Sequence, residues 1–587
     1  MEKGGEKMPE NKEKIIKNNS KRAITKGKKG TNFTNSGYSL AGASWEKKAL
    51  KGFKAVSGSP QEDIDWNNTT LRQRARILTM ASPIADSAIK ANRTNVIGIG
   101  LRLKARVKAR DLGITDEQAD ALNKEIEEEF ALWAEDKCAC DAIGMNDFYE
   151  LQQTALRSWL TSGDVFGLIK QYKPTLMHPY SSRIMLIEAD RVSTPSVRGS
   201  AVVGTNIVNM TSGINPDNGN RIHDGVEINS DGMVVAYHIS NNYPFEYTFA
   251  DTKWSRVLAY QKETGLPNII HLMEAERPDQ YRGVTYLASV IEPLLQVRRY
   301  TESELMAAII ESFFTAFVKT EAEPDEMPFD EVSDEDISNR EENEYTMGPG
   351  EINIMKPGED ITFANPTRPA GGFSEFIKAI CTQIGSSLEI PRELLLKEFT
   401  ASYSASRAAL LEAWKAFKMR REWFSNDFCK PIYEIWFSEA VARGRIHAPG
   451  FFTNPRMKRA YLNAEWHGPS QGQLDPVKEI TAESLAIAEG FSTHEESTVR
   501  LNGGQWDSNM QEIKRENKII FDVGQDMHKT IEKQTESNSG SDMKTGDSDT
   551  EEPENDEKTD DQKQKKELNA QIKRQVILDS MRGENNA

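Results

Sequence analysis

The chain has 587 residues, with 73 Lys and Arg against 90 Asp and Glu and a formal net charge of -17; that length calls for more than one domain. Hydrophobic residues at 38% and charged residues at 28%, with 10 Trp and 23 Phe, exclude wholesale disorder and point to a folded middle between polar ends. Four cysteines, two of them two positions apart, exclude a disulfide framework and fit a reducing compartment, while the acidic balance disfavours a tight non-specific grip on DNA and leaves weak, sliding contact open.

Residues 1–35 are rich in Lys, Asn, Gly and Ser. Met1 to Lys29 holds ten Lys and Arg without an apolar h-region, and Glu2, Glu6, Glu10 and Glu13 dilute its charge, so a solvated basic arm is expected and a signal peptide is not. No later stretch reaches the roughly 18 uncharged apolar residues of a spanning helix. From Leu71 the texture reads as two helical pieces running into a strand near Asn95 to Leu101. Asp116 to Trp133 spaces Ala121, Leu122, Ile126, Phe130 and Trp133 by threes and fours, an amphipathic helix capped at Thr115. A second helix is predicted from Asn146 to Leu160, then strands at Asp164 to Tyr172 and Arg183 to Val192, and a hairpin, Val226 to Ile239, whose Asp231-Gly232 supplies a positive φ.

Val284 to Lys319 reads as a long apolar helix with Pro293 as a possible kink, followed by an acidic insertion over 321–360. Helix resumes from Gly372 to Leu388 and stops at Ile390-Pro391. A small-residue loop then feeds a run from Ala405 to Arg443, with Ser404 or Ser406 as an N-cap. That run repeats Leu410, Trp414, Phe417, Phe424, Phe428, Ile432 and Ile435 with a gap at Arg421, and Pro431 should kink it. Further helices are predicted at Pro476 to Ala488 and Thr493 to Asn502. Gln534 to Lys566 is polar enough to be disordered, with a short helix after it from Leu568 to Met581.

Catalytic and ligand-binding signatures are missing. No G-x-x-x-x-G-K-[ST] run encodes a phosphate cradle, and Gly98-Ile99-Gly100 leads into a basic strand, where a structural turn is the better reading. His494-Glu495-Glu496 lacks the second histidine of a zincin. Cys138 and Cys140 with Asp141 offer too few neighbouring ligands for a zinc site. Asp190-Arg191 and His223-Asp224 fit salt bridges or turn fixtures better than acid/base machinery. No enzyme, cofactor or metal is expected.

Taken in order, several segments together resemble the lambda-type portal proteins of tailed bacteriophages, over roughly Tyr38 to Gly468. They are Leu71-Arg72-Gln73-Arg74-Ala75-Arg76 with Asn92 to Gly100, Gly163-Asp164, Ile187-Glu188-Ala189-Asp190-Arg191 to Pro195, the hairpin opened by Gly225-Val226-Glu227, Arg277 to Gly283, and Ser402-Tyr403-Ser404 to Trp414. The resemblance implies an α+β, portal-type fold assembled as a ring of twelve subunits. Its parts would be a body and wing over 36–283, stem helices at 284–319 and 372–395, a clip at 320–371, a tunnel loop at 396–404, a long kinked helix at 405–443, a crown-like helical region at 444–530, and an acidic tail at 531–587.

The same resemblance implies a channel at one capsid vertex for packaging and ejection of double-stranded DNA. Partners would be the terminase motor, a head–tail connector or adaptor, and capsid and scaffold proteins, with no membrane; the location would be the virion, and the host cytoplasm during assembly. The tunnel-loop candidates are Lys397, Glu398, Phe399, Thr400, Ala401, Ser402, Tyr403 and Ser404. The clip candidates facing terminase or adaptor are Asp325, Glu326, Asp330, Glu331, Asp334, Glu335 and Asp336. Two other readings fit the composition: a ring-forming connector or minor head protein without DNA passage, and a phage enzyme with an unfamiliar site.

Overall fold

In the computed structural model, the residues described are 57–195, 201–203, 206–208, 212–244, 246, 252–312, 316–318, 352–354, 372–399, 402–471 and 476–522, with 43, 48–50 and 52–53. The expected basic arm, most of the acidic insertion, and the polar tail with its terminal helix lie outside them. The chain divides into two units, Met1–Ala482 with Arg500–Gly503, and Glu483–Val499 with Gly504–Ala587.

The first unit begins with α1 (Trp66–Ala81) and α2 (Pro83–Asn92), the latter opened by a proline in its first turn, where the missing N–H breaks no intrahelical bond. A π-helical turn at Arg93–Ile97 leads into β1 (Arg102–Ala105). Reciprocal capping boxes start the next two helices: Thr115 with Gln118 opens α3 (Asp116–Ala134), and Asp147 with Glu150 opens α4 (Phe148–Ser162).

Strands follow: β2 (Asp164–Gln171), β3 (Ser182–Glu188), β4 (Ala201–Val203), β5 (Asn206–Val208), β6 (Ser212–Ile214), β7 (Arg221–His223), β8 (Val226–Ile228), β9 (Val234–Ser240), β10 (Trp254–Leu258) and β11 (Ile269–Met273). They form a three-stranded sheet ordered β11-β2-β3, a five-stranded sheet ordered β10-β9-β8-β7-β6, and the pair β4-β5. The β8–β9 hairpin turns at Asn229–Gly232, where Gly232 has φ 83 and the Asn229 side chain accepts from the backbone N–H groups of Asp231 and Met233. Phe166, Ile187, Val226, Ile228, Tyr237, Ile239 and Ile269 fill a small core belonging to these sheets.

Next come α5 (Ile291–Ser312), α6 (Phe373–Ser387), α7 (Arg392–Leu396), α8 (Tyr403–Phe424), α9 (Lys430–Ala442) and α10 (Pro455–Tyr461). The helix expected over 284–319 is shorter at both ends. A 3₁₀ turn at Ala288–Val290 precedes it, and Phe317 lies in β12 (Ala316–Val318), which pairs in parallel with β13 (Ile352–Ile354). Pro293 sits in the first turn of α5, where it starts the helix without interrupting it. The run expected over 405–443 starts earlier, at Tyr403, and its break is a π-helical turn at Ser425–Cys429 just ahead of Pro431. Within the expected crown-like region, Ala464–His467 is a strand, β14, paired antiparallel with β1.

The main core gathers around Phe130, whose ring packs edge-on against Phe148, Tyr433, Trp436 and Trp466. Glu439 of α9 accepts from the backbone N–H groups of Ser181 and Ser182 at 2.6 and 3.0 Å, tying the long helical run to β3. The last described helices are α11 (Pro476–Ala488), α12 (His494–Asn502) and α13 (Trp506–Asp522), of which Glu483–Ala488, His494–Val499 and the whole of α13 fall in the second unit. Ser497 donates to Glu483, the Trp506 N–H donates to Glu495, and His494 stacks on the Trp506 ring. Thr493 caps α12, so His494-Glu495-Glu496 is a helix start.

Candidate functional site

Two helix ends bracket α7, and both use a non-glycine residue where glycine is the default. Glu389 has φ 53 and Lys397 has φ 56. At the first, the backbone N–H of Ile390 returns to the Gly385 carbonyl at 2.9 Å, so close that a Cβ on Gly385 would lie 2.4 Å from the Ile390 oxygen. Glu389 is held by Arg420 of α8 at 2.5 Å, and Arg420 also donates to Asn92 at 3.2 Å and lies over the Tyr286 ring. At the second, the Glu398 N–H donates to the Glu393 carbonyl at 3.1 Å, and the Glu398 carboxylate pairs with Lys378 of α6 at 3.2 Å.

Of the expected loop residues, Lys397, Glu398 and Phe399 leave α7, with Phe399 half exposed at 53%. Thr400 and Ala401 lie outside the described residues. Ser402 is the N-cap, its hydroxyl accepting from Ala405 N–H at 3.4 Å, so Tyr403 and Ser404 already belong to the first turn of α8. The cap therefore falls ahead of Ser404 and Ser406. The extended backbone of Ser402, with ψ 152, is what lets its oxygen face the free N–H groups of the turn. The clip candidates Asp325, Glu326, Asp330, Glu331, Asp334, Glu335 and Asp336 lie outside the described residues.

The gap in the apolar pattern at Arg421 is a bridge. Its guanidinium donates to the carbonyls of Asn95 and Val96, at the end of the turn after α2, and to Pro469, at 2.7, 2.9 and 2.9 Å. Burial pulls its pKa down to about 10. Arg420 and Arg421 thus fix α8 to the N-terminal helices through hydrogen bonds that apolar residues could not make.

Distant segments of the chain converge on one buried charge junction between the helices and the strands. Arg282, fully buried, pairs with Asp164 at 2.6 Å and with Asp224 at 2.8 Å, and donates to the carbonyls of Val192 and Ala189 at 2.8 Å each. Arg72 donates to Asp224 at 3.4 Å and to the Ser162 carbonyl at 3.1 Å, and Arg76 pairs with Asp190. Burial alone would raise the Asp164 carboxyl, but Arg282 and Arg72 hold it far below the usual carboxylate range, and the same pairing outweighs burial to raise Arg282. The Gly163 and Gly283 backbones cross here; a Cβ on Gly283 would lie 1.9 Å from the Gly163 oxygen.

Three guanidiniums thus face Asp164, Asp190 and Asp224, and Asp65 is a fourth, buried carboxyl. Burial first, and then the charge of Asp224, push its pKa up to about 7. Because the folded pKa lies above the unfolded one, this group's contribution is fully present below about pH 4 and is lost as pH rises through 7. At about 1.4 kcal/mol per pKa unit the loss is on the order of 4 kcal/mol. Asp65→Asn should therefore unfold at a higher temperature than the wild type at pH 8, by a margin that shrinks as pH falls and vanishes near pH 4, as read by differential scanning calorimetry. A constant difference across that range would contradict the assignment. Nothing local in the sequence marks Asp65, since apart from Arg72 the charges around it, Asp164, Asp224 and Arg282, come from far along the chain.

Cys140 is buried, its thiol pushed up by burial, and Asp141 accepts from the backbone N–H groups of Ile143, Met145 and Asn146 at 3.0 Å each. That carboxylate is a loop fixture. Among the described residues no group of three His, Cys, Asp or Glu side chains is placed to hold a metal ion, and no described helix is long and apolar enough to cross a membrane.

The family profile described as "Phage portal protein, lambda family" matches residues 46–421. Portal protein B of Escherichia phage lambda is 22% identical over 465 residues, covering 75% of this chain and 83% of that protein. The portal protein of Escherichia phage N15 is 22% identical over 472 residues, covering 77% and 84%. Among solved structures, a chain from the neck of a native GTA particle computed with C12 symmetry aligns at 12% identity with a TM-score of 0.33, over 74% of this chain and 92% of that one.

Proposed function

The chain belongs to the lambda family of phage portal proteins, constituents of the virion at the capsid vertex, and we propose that it works there as a closed ring of twelve subunits through which double-stranded DNA is packaged and later ejected. One observation supports the ring above others. In α5 the core holds Ile291, Leu294 and Val297, and in α6 it holds Cys381 and Ile384; the outer parts of both helices are largely exposed. They meet through Tyr300 packed on Phe373 and Phe376, while Leu305, Met306, Ile309 and Phe376 face solvent. From Val297 to Ser312, at about 1.5 Å per residue, α5 extends more than 20 Å past its last core residue. An isolated helix pair with apolar surface on its outer side is marginal in water, and lateral neighbours would cover it.

In this reading α5 and α6 are the stem, the segment from Lys397 to Ser404 reaches the narrowest part of the channel, and α8, whose first turn includes Tyr403 and Ser404, carries it. The insertion with Asp325, Glu326, Asp330, Glu331, Asp334, Glu335 and Asp336 is the clip that meets terminase and the head–tail adaptor. Capsid and scaffold proteins contact the outside during assembly in the host cytoplasm. An acidic channel wall repels phosphates, so DNA slides without a series of unbinding steps. The role is mechanical, with no reaction assigned to it. Native mass spectrometry of the full-length protein tests the ring: a species of twelve 66.0 kDa chains is expected, and a monomer at all concentrations, with and without scaffold, would refute it.

A further inference from the structure

Two pinned loops of the first unit hold apolar side chains out to solvent. The β2–β3 hairpin ends in a closed turn, Thr175–His178, in which the Thr175 N–H donates to the His178 carbonyl at 2.9 Å and the His178 N–H donates to the Thr175 hydroxyl at 3.1 Å. The central positions of a turn are ordinarily filled by Gly, Asn, Asp, Ser or Pro. Here they are Leu176 and Met177, which are 98% and 80% exposed. Beside the hairpin, the buried Asp141 carboxylate fixes a second loop by accepting from the N–H groups of Ile143, Met145 and Asn146, and the Ile143 and Met145 side chains are 61% and 69% exposed.

The two loops are tied together. The Tyr172 hydroxyl donates to the Ala142 carbonyl at 3.2 Å, and His178 Nδ1 lies 2.8 Å from an Asp136 carboxylate oxygen. Exposed apolar residues scattered singly need no explanation, but these four stand on joined loops whose own hydrogen bonds fix the backbone that displays them. Leu and Met at the tip of a turn break the local rule with no gain to the fold, and such breaks belong to functional surfaces. Methionine at two of the positions suits a surface that moulds to a partner.

The charges around this surface are one-sided once every pair is counted. Asp136 serves His178 and the Cys138 N–H, Asp141 is buried against its own loop, Asp147 caps α4, Glu150 pairs with Lys137 at 2.8 Å, and Glu135 has Arg102 at 4.0 Å. Lys170, Lys173 and Arg183 have no carboxylate partner among the described residues. In the β2–β3 register Lys170 stands directly opposite Arg183, whose guanidinium lies 4.5 Å from the centre of the Tyr172 ring. Like charges directly opposite across two strands destabilise the pairing, and a carboxylate set between them removes that penalty.

We propose that the hairpin tip and the 141–146 loop form a docking surface for a segment of a second protein that has an apolar side and carboxylates next to it. The apolar side covers Leu176, Met177, Ile143 and Met145, and a carboxylate bridges Lys170 and Arg183. A nucleic acid would use the cations and leave the four apolar side chains in water, so a protein segment is the occupant this surface fits. The inference concerns the first unit alone and does not depend on the ring or its channel.

Selection of a random peptide library on immobilised full-length protein tests it, with the double variant Leu176→Ser, Met177→Ser as the counter-target. Both side chains are exposed, so that variant should melt with the wild type. Enriched peptides should carry Asp or Glu among apolar residues, and their binding should weaken at least about tenfold in the double variant and in Lys170→Glu. Lys170→Glu gives Arg183 a partner within the sheet, so it should melt no lower than the wild type while binding less. Enriched peptides without acidic residues, equal binding to the double variant, or no enrichment would overturn the proposal. Binding of phosphatidylserine vesicles through Leu176 and Met177 with no peptide enriched would give the tip to a lipid surface, and peptide binding that vanishes where native mass shows rings would give it to a neighbouring copy; either result overturns the assignment.

Discussion

Arg282→Ala should destabilise the first unit by about 3–5 kcal/mol, because removing one partner of a buried ion network strands the others without water or countercharge. Asp164 would lose its closest cation, at 2.6 Å, and the carbonyls of Val192 and Ala189 would lose the donors that fix the end of β3. Asp224 would keep Arg72 at 3.4 Å, which cannot satisfy both carboxylates. The expected result is a loss of soluble protein at 37 °C and a thermal transition lowered by several degrees. Arg282→Lys should rescue little of it, since a point ammonium cannot supply the planar fork that serves Asp164, Asp224 and two carbonyls at once. A variant that melts within a degree of the wild type would show that the junction is not the keystone its burial suggests.

The second large effect is on function without loss of assembly. Deleting Phe399 to Ala401 spares Lys397, whose left-handed backbone ends α7, and Ser402, whose hydroxyl caps α8. Both flanking helices therefore keep their ends, and the Arg420–Glu389 and Arg421 anchors of α8 are untouched. Rings should form at the wild-type mass, while DNA packaged per particle falls close to that of a lysate without the protein, because the proposed reading gives this segment the narrowest part of the channel. Normal packaging by such rings would place the narrow part of the channel elsewhere in the chain.

Much of the fold was legible because its signals are local. The capping boxes at Thr115 and Asp147, the three-and-four spacing of Ile126, Phe130 and Trp133, and the turn at Asp231-Gly232 each determine their element within a few residues of sequence. What was hidden depends on distant partners. β14, Ala464–His467, is four residues among turns, and it is a strand because Leu103 and Lys104 lie beside Trp466 and Glu465. The strands at Trp254–Leu258 and Ile269–Met273 likewise take their register from β9 and β2.

At the site, four of the residues that bear the resemblance, Arg72, Asp164, Asp190 and Arg282, share a location and meet Asp224 at one junction. Asp190-Arg191 and His223-Asp224 read as salt bridges or turn fixtures, and Asp190 and Asp224 do pair, with Arg76 and Arg282 from far along the chain; neither reading gave a hint of the shared network, nor of Asp65 within it. The gap at Arg421 was visible as an interruption of the apolar stripe; that it bridges to Asn95, Val96 and Pro469 follows only from the fold.

The most direct test of the account is a single-particle cryo-electron microscopy map of the assembled full-length protein. The account predicts a closed ring whose central hole admits duplex DNA, with residues 397–404 at its narrowest point and α5 and α6 lining the stem. A ring without a through-channel, or one whose constriction is built from another segment while 397–404 lies on the outer surface, would contradict it.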